Sequence, residues 1–382
     1  MFHVKRLGPD PLAYLADQLA QLERDGLRRR AATPLASDAL SFCSNDYLGL
    51  AGRNAPLAPS GAGASRLIAG ERDEHRALEV ALARWLGTED ALLFTSGYAA
   101  NVGTLSCLAG PGDLVVSDAL NHASIIDGAR LSRARVVVVP HGDVGAVRSA
   151  LDERAEERAW VAVESYYSMD ADSPDLAALR ATCDHLGAGL LVDEAHALGV
   201  LGPEGRGLCA ARGVVPDVLV GTLGKAFGGQ GAFAAGRAVV RDFLWNRARS
   251  FVFSTGLAPV SAAAAQEALL RIIGRPELRE HVAAMATRLR TGLQRAGASR
   301  LIGFGHVIPL LVGDPTTALE LAERMRSRGV AVHAIRPPTV PPGTSRIRLT
   351  VTARHAAADI DRVVEAYAWA TRSSAGPDMA AP

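Results

Sequence analysis

Lysine is the residue that this sequence of 382 amino acids most nearly lacks. Only two of its 41 basic residues are lysines, Lys5 and Lys225, and the other 39 are arginines. A guanidinium stays protonated and cannot act as an amine nucleophile, whereas a buried lysine can lose its proton and form an imine with a carbonyl group. The scarcity is also compatible with a biased composition, so the surroundings of Lys225 have to decide whether its amine has a chemical role.

Other absences exclude several classes of protein. The formal net charge of +1 offers no basic surface for nucleic acid or for a membrane, and no apolar run approaches the roughly 18 residues that a spanning helix needs. The four cysteines show neither a Cys-x-x-Cys pair nor the spacing of metal ligands, so no metal site is expected. The first residues lack an apolar signal segment, and the expected compartment is the cytoplasm.

What is present is an alternation of short apolar runs with stretches that favour helices. The runs are Ala91–Phe94, Leu114–Val116, Val136–Val139, Trp160–Val163, Leu190–Val192 and Val218–Val220. Such a pattern is typical of a mainly parallel sheet that helices cover on both faces. The chain is longer than the roughly 250–300 residues of a single core. We therefore predict an N-terminal helical segment over 1–42 with a helix at 12–30, a large α/β domain over 43–258, and a smaller α+β domain over 259–382.

Polar or glycine-rich segments follow five of these apolar runs. The segments are Thr95–Asn101, Ser117–His122, Glu164–Asp170, Asp193–His196 and Gly221–Lys225. Ligands of open parallel sheets bind beyond the carboxyl ends of the strands. Five such segments at corresponding positions therefore predict one binding site along one edge of the sheet.

Two nucleotide-binding interpretations of these segments fail. A phosphate loop requires Gly-x-x-x-x-Gly-Lys-Ser/Thr, but Ala226 follows Lys225 and residue 219 is Leu219. The dinucleotide fingerprint Gly-x-Gly-x-x-Gly is also missing from the first strand-helix unit.

The same residues fit pyridoxal 5'-phosphate, a cofactor that needs a lysine for its imine and an acid beside its pyridine nitrogen. Asp193 at a buried strand end suits the acid, His122 could stack on the ring, and His196 could donate to the phenolic oxygen. The helix predicted near Gly97 presents backbone N–H groups to a phosphate, and Thr222 could add a hydroxyl. Taken singly, each residue also has a structural explanation, such as a helix N-cap for Asp193 or a turn at Gly97.

Over essentially its whole length the chain resembles the α-oxoamine synthases. The matching motifs are Ser44–Leu50, Ser96–Asn101, His122–Ser124, Ser168–Asp170, Asp193–His196, Thr222–Lys225 and Ala334–Pro341. The last of them favours the branch of the family that works in biotin biosynthesis. The resemblance implies a fold-type I pyridoxal-phosphate transferase of the aspartate-aminotransferase type, with a mainly parallel sheet in the large domain and a smaller C-terminal α+β domain.

The resemblance also implies residue roles. Lys225 forms the imine with the cofactor and later moves the substrate Cα proton, while Asp193 pairs with the pyridine nitrogen and His122 stacks on the ring. The further cofactor contacts that it implies are Gly97, Tyr98, Ser168, His196, Thr222 and Thr255, the last reaching the phosphate from the neighbouring subunit of a homodimer. The substrate contacts that it implies are Arg28, Asn45, Arg336 and Thr339, with Arg336 on the amino-acid carboxylate and Arg28 on the acyl substrate.

The activity that the resemblance implies is a decarboxylative condensation of L-alanine with a pimeloyl thioester to 8-amino-7-oxononanoate. Two alternatives stay open, a sibling synthase that joins glycine or serine to another acyl thioester, and a cofactor-binding protein without turnover. Coenzyme A and acyl carrier protein are equally compatible carriers. The segment over 51–60 is shorter than is usual in the family, and Glu164–Tyr167 replaces the more usual Glu-Gly-Val-Phe. These two departures bear on the selectivity for the acyl chain.

Overall fold

The computed structural model of the chain describes residues 13–25, 27–28, 39–54 and 56–372. Its α-helices are α1 (Ala13–Arg24), α2 (Asp73–Leu86), α3 (Gly97–Leu108), α4 (Ala123–Ser132), α5 (Val144–Asp152), α6 (Leu176–Leu186), α7 (Gly207–Ala211), α8 (Ala238–Arg247), α9 (Arg249–Val252), α10 (Pro259–Gly274), α11 (Pro276–Arg295), α12 (Pro315–Ser327) and α13 (Ala357–Arg372). Its strands are β1 (Leu40–Ser41), β2 (Asp90–Phe94), β3 (Leu114–Asp118), β4 (Arg135–Val139), β5 (Ala159–Glu164), β6 (Gly189–Asp193), β7 (Val218–Thr222), β8 (Ala232–Gly236), β9 (Val307–Gly313), β10 (Val330–Ala331), β11 (His333–Ile335) and β12 (Ser345–Thr350). A π-helical turn covers Arg66–Gly70 and a 3-10 turn covers Pro203–Gly205.

A seven-stranded sheet forms the centre of the molecule, with the strand order β2-β8-β7-β6-β5-β3-β4. Neighbouring strands from β7 to β4 are parallel, whereas β8 runs antiparallel to both β7 and β2. The predicted mainly parallel sheet is thus confirmed. The sequence analysis missed β8 because its residues, Ala-Phe-Ala-Ala-Gly, are mostly small and have little intrinsic preference for strands.

Alternate residues of the strands pack into different cores, as the period of two in a strand requires. Leu114 and Val116 point into a core under α5 and α6, and Val115 between them points into a core under α3 and α4. A third and larger core joins β2, β7 and β8 to the helices and strands of the C-terminal region. Except for the edge strand β4, whose residues are largely exposed, the strands of this sheet are therefore buried on both faces, and polar side chains are displaced to their ends.

The C-terminal region contributes a three-stranded antiparallel sheet of β11, β12 and β9. The short strand β1 pairs in parallel with β10, which ties the chain ahead of Phe42 to this region. The division of the chain into three parts at 42 and 258 stays a prediction.

The N-terminal helix is shorter than the predicted range of 12–30. Helix α1 ends at Arg24, and the N–H groups of Leu27 and Arg28 both donate to the carbonyl of Leu22. In the sequence, the apolar residues keep the spacing of a helix beyond the residue at which helix α1 ends, and the predicted range was therefore too long. None of the helices in the described part of the chain combines the length and the apolar character that crossing a bilayer requires.

Candidate active site

The carboxyl ends of β2, β5, β6 and β7 meet at one edge of the central sheet. Glu164 is in register with Asp193 across β5 and β6. Phe94 and Thr222 both lie opposite Ala232 of the antiparallel strand β8, which brings the ends of β2 and β7 to the same level. The polar segments that follow these strands in the sequence are thereby neighbours in space.

Lys225 lies in the turn after β7, partly buried, with its Nζ 2.8 Å from Nε2 of His196. Burial lowers the pKa of the Lys225 ammonium to about 8 against the opposing pull of Asp193 and Glu164, and the guanidinium of Arg348 lowers it further. A substantial fraction of the amine is therefore neutral near pH 8, which an exposed lysine would not provide.

A chain of hydrogen bonds continues from His196 away from the lysine. The hydroxyl of Tyr47 lies 2.6 Å from Nδ1 of His196 and 3.2 Å from Oδ1 of Asn45. Two guanidinium nitrogens of Arg348 donate to the same Asn45 oxygen, each over 3.2 Å. Burial, and then the charges of Lys225 and Arg348, hold the pKa of His196 well below its usual range, so its ring is neutral.

Asp193 is buried at the end of β6, where both of its carboxylate oxygens accept hydrogen bonds. Oδ2 accepts from Nδ2 of Asn101 over 2.6 Å, and Oδ1 accepts from the backbone N–H of Ala195 over 2.8 Å. The residues after Asp193 form turns, so Asp193 is not a helix N-cap. The side-chain oxygen of Asn101 is buried without a hydrogen-bond partner, an orphaned acceptor directed to this part of the site.

His122 is exposed at the start of α4, and its backbone N–H donates to Oε1 of Glu164 over 2.7 Å. Its Nδ1 accepts from the backbone N–H of Ser124, which leaves the proton of the neutral ring on Nε2. Partial loss of hydration lowers the pKa of His122, and the charge of Lys225 adds to this against the pull of Asp193.

Glu164 is a member of the site to which the sequence analysis gave no role. Its carboxyl group is buried, and burial followed by the nearby charge of Asp193 raises its pKa to about 8. A second negative charge next to that of Asp193 is costly, so Glu164 keeps its proton more readily than an exposed carboxyl group would. The register of β5 against β6, which the sequence does not reveal, produces this pair.

The N-terminus of α3 lies beside the end of β7. Ser96 caps the helix by accepting from the N–H of Ala99 over 3.1 Å. A Cβ atom placed on Gly97 would lie 3.7 Å from Oγ1 of Thr222, so the helix end and the Thr222 hydroxyl face the same space. Tyr98 is half exposed, and its hydroxyl donates to Asp127 of α4.

A cleft of about 770 Å³ opens from this edge towards the loop after β11. His122, Glu164, Ser168 and Thr339 line it together, with apolar walls from Leu120, Ile126, Met169 and several prolines. Arg336 is partly buried, and its carbonyl accepts from the N–H of Thr339 over 3.1 Å.

Arg28 and Thr255 are predicted contacts that do not line this cleft. The exposed Arg28 guanidinium is 3.4 Å from the carboxylate of Glu23. Thr255 is exposed between α9 and α10 and lines a small cavity with Thr95 and Arg66. Within the described ranges, no group of three or more His, Cys, Asp or Glu side chains is arranged to hold a metal ion.

Besides Glu164, the sequence analysis overlooked Arg348 and Tyr47. The available signal was Arg346-Ile347-Arg348 in β12, where two arginines share one face of a strand that is buried throughout. A buried guanidinium needs acceptors. Arg348 finds them in Asn45, in the hydroxyl of Thr350 and in the carbonyl of Ser168.

Comparison with known proteins places this site in a family. The family model of the class I and II aminotransferases matches residues 37–366. The chain belongs to this family. The 8-amino-7-oxononanoate synthase of Mycolicibacterium smegmatis is 47% identical over 364 residues, which cover 91% of this chain and 94% of that protein. That of Geobacter sulfurreducens is 44% identical over 379 residues, which cover 93% and 97%.

Solved structures show the same fold. The serine palmitoyltransferase of Sphingomonas wittichii aligns with a TM-score of 0.87 at 29% identity, covering 96% of this chain and 99% of that one. An 8-amino-7-oxononanoate synthase of Francisella tularensis aligns with a TM-score of 0.74 at 22% identity, covering 89% and 99%. The resemblance to the α-oxoamine synthases and the fold-type I architecture are thereby confirmed.

Pyridoxal 5'-phosphate is the cofactor of this enzyme family, and the residues at the sheet edge fit it. Lys225 supplies an amine with a lowered pKa, and Asp193 supplies a carboxylate fixed by two hydrogen bonds. The exposed ring of His122 offers a face for stacking, and the N-terminus of α3 beside Thr222 offers N–H groups and a hydroxyl to a phosphate. The orphaned oxygen of Asn101 indicates a polar partner beyond the protein itself.

Proposed function

We propose that this chain condenses L-alanine with a pimeloyl thioester, with loss of carbon dioxide and release of the thiol carrier, to give 8-amino-7-oxononanoate. The observation that carries the proposal is the 42–47% identity to eight proteins of that name over 88–97% of the chain. The lowered pKa of Lys225 beside His196 gives the proposal a chemical basis.

Each of three side chains at the edge of the sheet is assigned its own chemical role. Pyridoxal phosphate, when bound, supplies the electron sink that makes the Cα–H bond of an amino acid acidic. We assign the transfer of the Cα proton to the amine of Lys225, because its pKa near 8 lets it carry and release a proton at neutral pH. Asp193 would hold a proton on the pyridine nitrogen, and Nε2 of His196 would donate to the phenolic oxygen.

The walls of the cleft support the choice of substrates. Arg336 and Thr339 are assigned to the amino-acid substrate, because a guanidinium binds a carboxylate with two hydrogen bonds. Leu120, Ile126 and Met169 offer an apolar lining for the methylene chain of a pimeloyl group.

A homodimer forms part of the proposal. Helix α3 has no charged residue, and its outward residues Val102 and Leu108 line a groove of about 920 Å³ together with the exposed Leu131 and Phe253. Apolar surface that a single chain leaves uncovered, as at Val102 and Leu108, is typical of an interface. A second copy of the chain would cover this surface of helix α3. Thr255 follows Phe253 by two residues, which agrees with a contribution of Thr255 to the partner's phosphate site.

A sibling synthase is the second candidate. The serine palmitoyltransferase structures align with TM-scores up to 0.87, so the fold of this chain is equally compatible with an enzyme that uses serine.

Product analysis tests the proposal. Purified holoenzyme is incubated with alanine, glycine or serine and with pimeloyl coenzyme A or pimeloyl acyl carrier protein, and the products are identified by mass spectrometry. We expect 8-amino-7-oxononanoate from alanine, and a loss of at least about a thousandfold in kcat for Lys225→Ala. Turnover with serine or glycine and another acyl thioester, without turnover of alanine, would transfer the assignment to the sibling class.

A further inference from the structure

His141 lies between two carboxylates just beyond the end of β4. Its Nδ1 is 2.9 Å and 3.1 Å from the two carboxylate oxygens of Asp118, and its Nε2 is 3.0 Å from Oδ2 of Asp172. Burial by itself would lower the pKa of His141, but the two carboxylates outweigh burial and raise it to about 10. The ring is therefore an imidazolium at neutral pH and donates from both nitrogens.

Each of the two carboxylates belongs to a loop that carries a residue of the candidate site. Asp118 ends β3 and precedes His122 by four residues, and Asp172 follows Ser168 by four residues. His122 and Ser168 line the same cleft. His141 itself is not part of the cleft wall, so it acts on the site through its two partners.

The loop from Asp118 to His122 is stiff between its ends. Asp118 accepts from the N–H groups of Leu120 and Gly142, each over 2.8 Å. The N–H of His122 donates to Glu164. A displacement of the Asp118 carboxylate is therefore passed on to the backbone of His122.

The loop that carries Ser168 is held on both of its sides. On one side the ring of Tyr167 packs edge-on against His141 with 4.4 Å between centroids, and its N–H donates to the carbonyl of Asp172. On the other side Arg346 donates to the Asp170 carboxylate and to the Met169 carbonyl. The contacts with Arg346 remain when the contact with His141 is removed.

We propose that His141 is a positioning residue whose bridge between Asp118 and Asp172 fixes the spacing of His122 and Ser168 across the cofactor cleft. This rests on the proposed function and on the cofactor contacts of His122 and Ser168 that the resemblance to the α-oxoamine synthases implies. Residues that hold the ligand-contacting side chains in place commonly affect the affinity for the ligand and the geometry of the site, although they do not contact the ligand themselves.

Two variants of the bridge and one matched control test the proposal. His141→Gln removes the charge and one of the two contacts, and Asp172→Asn keeps an acceptor but removes a charge at a side chain that is 41% exposed. Arg135→Gln is the control, because it breaks an ion pair with Glu156, 2.8 Å long, at the opposite end of the same strand β4. The measurements are the dissociation constant of pyridoxal phosphate, the visible circular dichroism of the bound cofactor, and the thermal unfolding temperature.

We expect both bridge variants to bind the cofactor on the order of tenfold more weakly and to change its circular dichroism, while Arg135→Gln changes neither. The double variant should lose no more than His141→Gln alone, because the two residues act as one unit. If His141→Gln does not fold, Asp172→Asn decides the question by the same measurements.

The result that overturns the proposal is a loss of unfolding temperature in the bridge variants with cofactor affinity and circular dichroism as in the wild type. His122→Ala separates this failure from a failure of the proposed site. If His122→Ala also leaves both cofactor measurements unchanged, the cofactor placement is wrong. If it alters them and the bridge variants do not, only the role of His141 is wrong.

Discussion

Lys225 acquires its chemistry from the charges around its amine. Burial and Arg348 favour the neutral amine, and Asp193 and Glu164 favour the ammonium, with the balance near pH 8. An arginine at this position would stay charged under the same influences. The near absence of lysine from the sequence and the tuned pKa at this one position are therefore consistent with each other.

The pKa of Lys225 should determine how the rate of cofactor capture, the reaction of its amine with the aldehyde of pyridoxal phosphate, depends on pH. Only a neutral amine attacks the aldehyde of pyridoxal phosphate, so below the pKa the rate should rise about tenfold for each pH unit. We expect the capture rate of the apoenzyme, followed by stopped-flow absorbance, to level off above about pH 8. Nα-acetyl-lysine is the control, and its rate should still rise past pH 9. A midpoint for the enzyme near 10.5, the ordinary value for lysine, would contradict the geometry of the site.

The segments around the lysine are held together by close approach of backbones. Gly228, three residues after Lys225, has a φ of +65°, and a Cβ atom there would lie 2.4 Å from the backbone nitrogen of Ala51. The segment that supplies Asn45 and Tyr47 to the site therefore docks directly on the turn of the lysine. Only glycine allows both the backbone angle and the contact.

Gly228→Ala should be more destabilising than Gly87→Ala, although both residues have a positive φ. A Cβ atom on Gly87, which has a φ of +75°, would meet nothing within 4 Å. We expect Gly87→Ala to lower the free energy of unfolding by about 1 kcal/mol, from backbone strain alone. Gly228→Ala should lower it by about 3 kcal/mol, because the docked segment must also move. Equal losses in chemical denaturation would show that the contact with Ala51 does not bear on stability.

At the scale of the whole molecule, the groove beside α3 combines exposed apolar side chains with five arginines, which are Arg130, Arg133, Arg158, Arg247 and Arg249. Leu131 and Phe253 are 63% and 71% exposed on its walls. Exposed large apolar side chains together with arginines are typical of the interface between two protein chains.

Leu131→Glu should dissociate the proposed dimer. The carboxylate removes the apolar contact of Leu131 and adds the cost of taking a charge out of water, so we expect light scattering to give a mass near 40.0 kDa for the variant and twice that for the wild type. Leu270→Glu on α10 is the control, since Leu270 is 66% exposed but does not line the groove. A wild-type mass of 40.0 kDa would remove the dimer from the proposal.

Sequence patterns alone located six of the seven strands of the central sheet and the polar segments that follow them. The apolar runs at Leu190–Val192 and Val218–Val220 predicted β6 and β7, because strands buried on both faces must be apolar throughout. The residues after them, Asp193 and Lys225, were therefore predicted to share an edge of the sheet.

Only the tertiary structure decided which distant residues meet there. Arg348 and Asn45 are separated by 303 positions, yet they share a hydrogen bond that continues through Tyr47 to His196. The raised pKa of Glu164 depends on the register of two strands, which no local pattern encodes. Local propensity and periodicity reach a few turns along the chain, whereas charge, burial and hydrogen bonding depend on neighbours that folding brings together.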